Sequence, residues 1–247
     1  SRSMVMAGGA VGTACEELAE RAKRIGAKLL QLDVASVSLR DGRVCGPNSS
    51  IYLSEIAHTW YRRPQDLPPD VDPAGLETTS GYKPRRDSGT FSYAVHAVTV
   101  AVDPDLGDVE LLDYVIVEDG GVLVNPMIVD GQIYGGLAQG IGTALYEEMP
   151  FDSAGQPLAT TLADYLLPGP TEVPEPRLDH METPSPYTMF GVKGIGEGGA
   201  IAPPAAIANA VNDALRPLGV ELLHSPISPR RVVEAVLAAR EAERPAA

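Results

Sequence analysis

The sequence contains very little cysteine, and this scarcity limits the metal and redox sites that the chain can build. Cys15 and Cys45 are its only thiols, and they lie far apart in a chain of 247 residues. Iron–sulfur clusters and structural zinc sites use several closely grouped thiolate ligands. The thiols of this chain therefore cannot form such a site alone, and any cluster must lie in another domain or chain.

Basic residues are also few, which argues against nucleic acid as a partner. The sequence has 19 lysines and arginines against 33 aspartates and glutamates, which gives a formal net charge of -14. A strongly acidic protein repels the phosphate backbone of DNA and RNA. Long apolar runs are lacking as well, since none approaches the roughly 20 residues that span a bilayer. No signal peptide with a basic start and an apolar core opens the sequence. We therefore expect a cytoplasmic protein that binds neither nucleic acid nor a membrane.

The distribution of apolar residues predicts helices and β-hairpins in separate parts of the chain. Apolar residues recur at helical spacing in some segments, and they alternate with polar residues in others. The predicted helices cover residues 11–31, 54–58, 129–148, 203–215 and 229–242, and the predicted hairpins cover residues 34–44 and 91–117. Because strands and helices do not alternate regularly along the chain, the prediction is an α+β fold.

Proline and acidic residues crowd the segment from Arg62 to Arg86. This composition is typical of an ordered crossing loop rather than of a packed helix or strand. We interpret residues 1–247 as one domain that can be subdivided near residues 62–86.

The loop from Gly191 to Ala200 contains the first candidate for a catalytic residue. It places a single carboxylate, Glu197, among five glycines. Glycine lets the backbone approach where a Cβ atom would collide, so a large ligand can lie close to Gly194, Gly196 and Glu197. A carboxylate that apolar neighbours shield from water holds its proton more tightly and can act as a general base near neutral pH. Local composition alone fits a solvated glutamate in a glycine loop equally well.

The predicted helix at residues 129–148 is unusually rich in glycine. Each glycine costs a helix about 1 kcal/mol relative to alanine, so close packing must compensate for it. The glycines leave a smooth face, with Gln139 as the polar group available for hydrogen bonds. This face can pack against another element or accept a flat ligand, and the sequence leaves both alternatives open. The glycines are Gly131, Gly135, Gly136, Gly140 and Gly142.

Other catalytic and binding motifs are weak or lacking in the sequence. Gly194, Gly196 and Gly199 formally satisfy the GxGxxG pattern of dinucleotide-binding proteins, but turn-forming residues 183–188 precede them instead of a buried strand. The four histidines are scattered, and neither a GxSxG nor an HExxH motif occurs. The sequence therefore predicts neither a hydrolase triad nor direct ligation of a metal by this chain.

Two long motifs follow one another in a characteristic order. Residues 125–142 read NPMIVDGQIYGGLAQGIG, and residues 191–199 read GVKGIGEGG. Residues 164–168, DYLLP, and residues 183–186, TPSP, precede the second motif. In this order the motifs resemble the molybdenum-binding subunit of the molybdenum hydroxylases, the family of xanthine dehydrogenase, aldehyde oxidase and carbon monoxide dehydrogenase. The resemblance covers nearly the whole chain but only the C-terminal part of a typical molybdenum subunit.

This resemblance implies the C-terminal molybdenum-cofactor-binding domain of a xanthine dehydrogenase-like large subunit, in which mixed sheets pack with helices. It implies a molybdopterin cofactor, in bacteria usually the cytosine dinucleotide, whose molybdenum has no direct protein ligand. Glu197 falls on the family's glutamate and would act as the general base toward the Mo–OH group, so that water supplies the oxygen inserted into an electron-poor carbon. Gln139 would hydrogen-bond the pyranopterin. Ser1, Arg2 and Ser3 resemble the end of a segment that cradles the phosphates of the dinucleotide at a helix start.

The resemblance also implies partner chains. The family passes electrons through [2Fe–2S] clusters to FAD on other subunits or domains, so we expect iron–sulfur and FAD-containing partners and a chain that carries the rest of the molybdenum subunit. The loops that select the substrate lie mostly outside this chain, which leaves heteroaromatic compounds, purines, aldehydes and carbon monoxide open. Two hypotheses follow: an enzyme subunit in which Glu197 is the base, and a non-catalytic fragment or assembly module that needs a partner chain.

Overall fold

A computed structural model describes residues 1–71, 75–86 and 90–242 of the chain. The chain forms two compact units. The first unit is Arg2–Arg85, and the second unit is Arg86–Ala247 together with Ser1.

The first unit consists of a long helix, a small sheet and a second helix. A π-helical turn at Ser3–Gly8 continues into helix α1 (Gly9–Leu30). Three short antiparallel strands follow, in the order β1-β2-β3, and helix α2 completes the unit. The strands are β1 (Ser38–Arg40), β2 (Arg43–Cys45) and β3 (Ser50–Tyr52), and α2 is Leu53–Arg62.

The core of the first unit contains Ile25 of α1, Val44 of β2 and Trp60 of α2. A Cβ atom at Gly26 would lie 2.7 Å from the Cβ atom of Val44, so glycine permits the close contact between α1 and the sheet. The predicted helix at residues 11–31 and the hairpin turn after residue 40 are confirmed. The third strand, β3, was not predicted.

The second unit contains a three-stranded mixed sheet in the order β4-β5-β6. Strands β4 (Tyr93–Val102) and β5 (Val109–Asp119) form the predicted antiparallel hairpin. Strand β6 (Arg177–Met181) runs parallel to β5 and was not predicted. It is short, and charged residues within it weaken the apolar alternation on which strand prediction depends.

The helices of the second unit are α3 (Pro126–Ile141), α4 (Gly198–Ile201), α5 (Pro203–Leu215) and α6 (Pro229–Ala242). Three of them begin with proline, whose fixed φ suits the first helical position and whose missing N–H costs nothing there. Helix α3 ends earlier than predicted, because a π-helical turn replaces it at Gly142–Tyr146.

The core of the second unit lies between the sheet and α3, α5 and α6. Its buried members include Ile133 and Leu137 of α3, Ile207 of α5 and Val232 of α6. Tyr114, Ile116 and Glu118 occupy alternate positions of β5, and all three are buried. A carboxylic acid therefore takes a core position at the end of β5. No helix among the residues that the structure describes is long and apolar enough to cross a membrane.

Candidate active site

The loop Gly191–Ala200, named here the Glu197 loop, leads into α4 and α5. Its first residues are tied to the chain that follows β5. The N–H of Lys193 donates to the carbonyl of Gly120 at 3.0 Å, and the N–H of Val122 donates to the carbonyl of Gly191 at 3.3 Å. The start of the loop is therefore held against the end of the central strand.

A buried ion pair reinforces this attachment. Lys193 Nζ lies 2.9 Å from Asp119 Oδ1, and the two side chains are 7% and 1% exposed. The same carboxylate oxygen accepts from the N–H groups of Gly121 at 3.0 Å and Thr183 at 3.3 Å. Burial by itself raises the pKa of Asp119, but the hydrogen bonds from Thr183, Lys193 and Gly121 hold this pKa well below its usual range. Asp119 is thus an ionised anchor for the loop, a role that the sequence analysis missed because only the fold joins these two motifs.

The far end of the Glu197 loop packs against α3 through glycines of both segments. A Cβ atom at Gly136 would lie 2.8 Å from the carbonyl carbon of Gly199. One at Gly140 would lie 2.7 Å from the ring of Pro203. For Gly136 and Gly140 the sequence left open whether they serve packing or a ligand, and the structure shows close packing, on backbone at Gly136 and on the Pro203 ring at Gly140.

Two other glycines of α3 behave differently. No described atom lies within 4 Å of the position that a Cβ atom would take at Gly131 or Gly135. The side chains of Gln132 and Gln139 are exposed on the same helix. Helix α3 therefore offers an open surface of two glycines and two amide groups beside the face that holds the loop.

The amide of Gln132 lies next to the Glu197 loop. Oε1 of Gln132 is 3.7 Å from the position of a Cβ atom at Gly196. Gln139 follows two turns later, about 10 Å further along the helix axis. Gln132 was not predicted, although the spacing of seven residues places it and the predicted Gln139 on similar sides of a helix.

Ser1 belongs to the second unit and contacts the Glu197 loop directly. Its Oγ accepts a hydrogen bond from the N–H of Gly196 at 3.0 Å, and its nitrogen lies 3.3 Å from Oε2 of Glu197. A Cβ atom at Gly194 would overlap the carbonyl oxygen of Ser1. The structure therefore brings Ser1, Gly194, Gly196 and Glu197 together.

Arg2 and Ser3 belong to the first unit, where they open the helical segment that becomes α1. The carbonyl of Arg2 accepts from the N–H of Met6 at 2.8 Å. Both residues are exposed at a helix start, where free N–H groups favour anions. Binding of phosphate by these two residues stays a prediction.

The expected apolar shielding of Glu197 is wrong for this chain taken alone. Its side chain is 72% exposed. The adjacent residues Gly196 and Gly198 have no side chains that could cover it.

A second carboxyl group lies on the opposite, buried side of the same loop. Glu118 is 1% exposed, and a Cβ atom at Gly198 would lie 2.8 and 2.9 Å from its two oxygens. Neither oxygen has a hydrogen-bond partner among the described residues. Burial raises the pKa of Glu118, while the charge of His180 opposes this effect. The sequence analysis missed Glu118, which directly follows the predicted strand.

The structure does not support a dinucleotide-binding fingerprint at Gly194, Gly196 and Gly199. A 3-10 turn at Met189–Gly191 precedes these glycines, and Val192 makes only an isolated bridge to Gly121. The fingerprint requires a buried strand at this place.

Comparisons with known proteins identify the fold as that of a cofactor-binding domain. A sequence profile of the molybdopterin cofactor-binding domain matches residues 1–174. The nicotine 6-hydroxylase large subunit of Paenarthrobacter nicotinovorans is 40% identical over 238 residues, which cover 95% of this chain and 29% of that protein. The carbon monoxide dehydrogenase large chain of Hydrogenophaga pseudoflava is 33% identical over 94% of this chain and 28% of its own length.

A solved structure shows the same similarity. Quinoline 2-oxidoreductase from Pseudomonas putida 86 matches with a TM-score of 0.89 at 37% identity, over 99% of this chain and 30% of that chain. This chain belongs to the molybdenum hydroxylase family and matches the C-terminal part of the molybdopterin-binding subunit. The predicted family and the α+β fold of that domain are confirmed. The chain spans about 30% of the length of the relatives it matches.

Proposed function

We propose that the chain is part of a molybdopterin-dependent hydroxylase and that Glu197 is the general base of its reaction. The observation that carries this proposal is a loop fixed at both ends with an exposed carboxylate between them. Lys193 fixes one end on Asp119, and Gly199 packs the other end on α3. A general base must be held within hydrogen-bond reach of the proton that it removes, and a loop anchored in this way can hold it there.

The residues around the loop fit a large flat cofactor. Gly131 and Gly135 leave the surface of α3 open, and Gln132 and Gln139 offer amide donors and acceptors beside it. We assign both glutamines to the pyranopterin, with Gln132 nearer to the Glu197 loop. When bound, a molybdenum cofactor supplies the two-electron oxidation that amino acid side chains cannot perform.

The part played by this chain is proton transfer and positioning. The carboxylate of Glu197 would take the proton from a water-derived hydroxyl, and the oxygen of that hydroxyl would attack an electron-poor carbon of the substrate. The C–H bond at this carbon would break, and its electron pair would pass to the bound cofactor. The hydrogen bond between Ser1 Oγ and the N–H of Gly196 holds the backbone beside Glu197. In the proposed enzyme Ser1, Arg2 and Ser3 contact the phosphates of a cytosine dinucleotide form of the cofactor, and Gly194 and Gly196 let the cofactor approach.

The names of the relatives support a heteroaromatic substrate. Proteins that are 40% and 37% identical to this chain are named for nicotine and quinoline, and both compounds contain a pyridine-type ring with electron-poor carbons. Carbon monoxide dehydrogenase is similar at 33% identity, so carbon monoxide remains an alternative, as do purines and aldehydes.

The proposal requires partner chains. The relatives include a subunit gamma of a dehydrogenase complex and large chains of carbon monoxide dehydrogenase. We propose that a further chain or segment carries the rest of the molybdenum subunit, and that iron–sulfur and FAD-containing subunits pass the electrons on. The proposed complex works in the cytoplasm and is inactive without these partners.

Metal analysis of the natively purified protein tests the proposal first. We expect molybdenum and iron, measured by mass spectrometry, together with co-purifying chains. A protein that purifies alone and free of metal would support the alternative, a non-catalytic fragment or assembly module.

Substitution of Glu197 then tests its role. In the assembled enzyme Glu197→Gln should lower kcat by about 10²- to 10⁴-fold, since that is what a positioned general base contributes. Its molybdenum content should be unchanged. The matched control is Glu175→Gln, an exposed carboxylate, which should leave both quantities unchanged. The assembly module predicts the reverse pattern, in which Glu197→Gln is silent and substitution of Gly135 or Gly136 breaks association.

A further inference from the structure

Glu118 is a buried carboxyl group to which the proposed reaction gives no role. It occupies the last core position of β5 and is 1% exposed. Neither of its oxygens has a hydrogen-bond partner within the described ranges of the chain. An ionised carboxylate in such a place has lost its hydration and gained no donors in return. The neutral acid is the form that this environment tolerates.

The backbone of the Glu197 loop covers this carboxyl group. A Cβ atom at Gly198 would lie 2.8 Å from one oxygen of Glu118 and 2.9 Å from the other. Only glycine therefore fits at this position while the carboxyl group stays in place. A cavity of about 140 Å³ lies beside the carboxyl group, lined by Tyr93 and Ala94 of β4 and by Ile201 of α4 among others.

The charged groups on the neighbouring strand β6 and helix α3 do not neutralise Glu118. His180 is the register partner of Glu118 on β6, and its charge favours ionisation of Glu118. However, Nε2 of His180 lies 2.7 Å from Oδ1 of Asp130 on α3. One nitrogen of the imidazole beside Glu118 is thus engaged by another carboxylate.

The titratable side chains on β4 and on the Glu197 loop do not neutralise Glu118 either. His96 on β4 is partly buried, and burial lowers its pKa, which disfavours a positive charge there. Lys193 is occupied by Asp119. Glu197 directly precedes Gly198 in the chain. A negative charge at Glu197 disfavours a second negative charge at Glu118. Helices α4 and α5 contribute no charged side chain to the described lining of the cavity.

We propose that Glu118 is held as the neutral acid and that this neutral carboxyl group positions the loop carrying Glu197. Ionised Glu118 needs hydration at both oxygens, and Gly198, which covers both of them, must move aside for full hydration. Because Gly198 is bonded to Glu197, this movement displaces the proposed base. Glu118 is thus a positioning residue, and its proton keeps the Glu197 loop in the conformation in which Glu197 can act as the base. This inference rests on the proposed function of Glu197.

The protonation state of Glu118 is testable without activity. A buried acid with a raised pKa stabilises the fold fully below its unfolded pKa of about 4.3, and this contribution is lost as pH rises toward the folded pKa. The unfolding equilibrium constant of the full chain, measured in urea from pH 5 to pH 9, should therefore rise relative to that of Glu118→Gln. The expected change is up to about tenfold per pH unit within that window.

For the exposed control Glu175→Gln, the ratio of its unfolding equilibrium constant to that of the wild type should stay constant over the same pH range. Glu118→Met, uncharged and of similar length, replaces Glu118→Gln if the amide variant does not fold. If the ratio of the unfolding equilibrium constants of the wild type and the Glu118 variant does not change with pH, Glu118 is not held as a neutral acid and the proposal is wrong.

The positioning role is testable in the assembled enzyme. The wild-type kcat should fall at alkaline pH as Glu118 ionises, and Glu118→Gln should keep its neutral-pH kcat while losing this alkaline fall. Gly198→Ala should lower kcat with little change in KM, because its new Cβ atom meets the Glu118 carboxyl group. Adding Glu118→Ala should restore part of that loss.

These outcomes separate the two proposals. If Glu197→Gln retains activity, the proposed function fails, while the urea series still decides the state of Glu118. A second outcome is that Glu197→Gln is inactive while Glu118→Gln keeps the wild-type pH profile and Glu118→Ala does not rescue Gly198→Ala. In that case the positioning role of Glu118 is wrong, and the proposed role of Glu197 stands.

Discussion

At Asp119 three donors converge on one carboxylate oxygen inside the second unit. Two of them are backbone N–H groups, and the third is the ammonium group of Lys193. Because both charged side chains are buried, solvent screens their attraction only weakly. Removal of one partner leaves the other as an uncompensated buried charge.

Lys193→Met should therefore destabilise the fold strongly. We expect a loss of about 3–5 kcal/mol in the free energy of unfolding, measured in urea at neutral pH, since this is the usual effect of breaking a buried ion pair. The double variant Asp119→Asn with Lys193→Met should recover part of the loss, because no buried charge remains.

The matched control is Lys28→Met, which removes an exposed lysine of α1 and should change the free energy of unfolding by less than about 0.5 kcal/mol. A Lys193→Met variant as stable as this control would show that Asp119 does not need its partner.

Helix α3 uses its glycines in two ways at the scale of the element. Gly136 and Gly140 let the backbone of the Glu197 loop and the ring of Pro203 pack against the helix. Gly131 and Gly135 have no described neighbour within 4 Å of a Cβ position. Packing thus offsets the cost of glycine in the helix at Gly136 and Gly140. At Gly131 and Gly135 nothing described in this chain offsets it.

Gly136→Ala and Gly135→Ala should change the free energy of unfolding in opposite directions. Gly136→Ala forces α3 away from Gly199, and overpacking of this kind costs about 1–3 kcal/mol. Gly135→Ala meets nothing and should stabilise the helix by about 0.5–1 kcal/mol. Urea unfolding of the two variants measures both effects.

In the assembled enzyme Gly135→Ala carries a second expectation. Its Cβ atom projects into the surface that we assign to the pyranopterin, so the molybdenum content should fall although the fold is more stable. A variant that is more stable and holds as much molybdenum as the wild type would exclude cofactor contact at this position.

At the scale of the whole molecule, the chain exposes large apolar side chains along one segment of the second unit. Monomeric proteins rarely leave a broad apolar surface in water, so a covering chain is expected. Since the chain spans about 30% of its relatives, we infer that the remainder of the molybdenum subunit covers this segment. The exposed residues are Met149, Phe151, Leu158, Leu162, Leu166 and Leu167.

Hydroxyl-radical footprinting of Met149 and Phe151 tests this inference. Both side chains should be labelled in the isolated chain and protected in the assembled enzyme, with the urea-unfolded chain as the reference for intrinsic reactivity. Equal labelling in both states would show that the segment faces solvent or another partner.

Elements with a strong local signal were predictable from the sequence. The β4–β5 hairpin follows from alternation around the turn at residues 103–108, and α5 and α6 follow from a starting proline and helical spacing. Strand β6 was missed because it forms by pairing with β5, which lies far away in the sequence. Its residues carry little apolar pattern of their own.

The sequence by itself determined the family, the composition of the Glu197 loop and the choice of Glu197 as candidate base, because these depend on residue types in a local order. Only the tertiary structure decided which groups surround that loop. The Asp119–Lys193 pair, the approach of Gln132 and the burial of Glu118 beneath Gly198 each join residues from separate segments. Charge, burial and pKa depend on distances in space, and those distances exist only once the sheet and α3 have packed together.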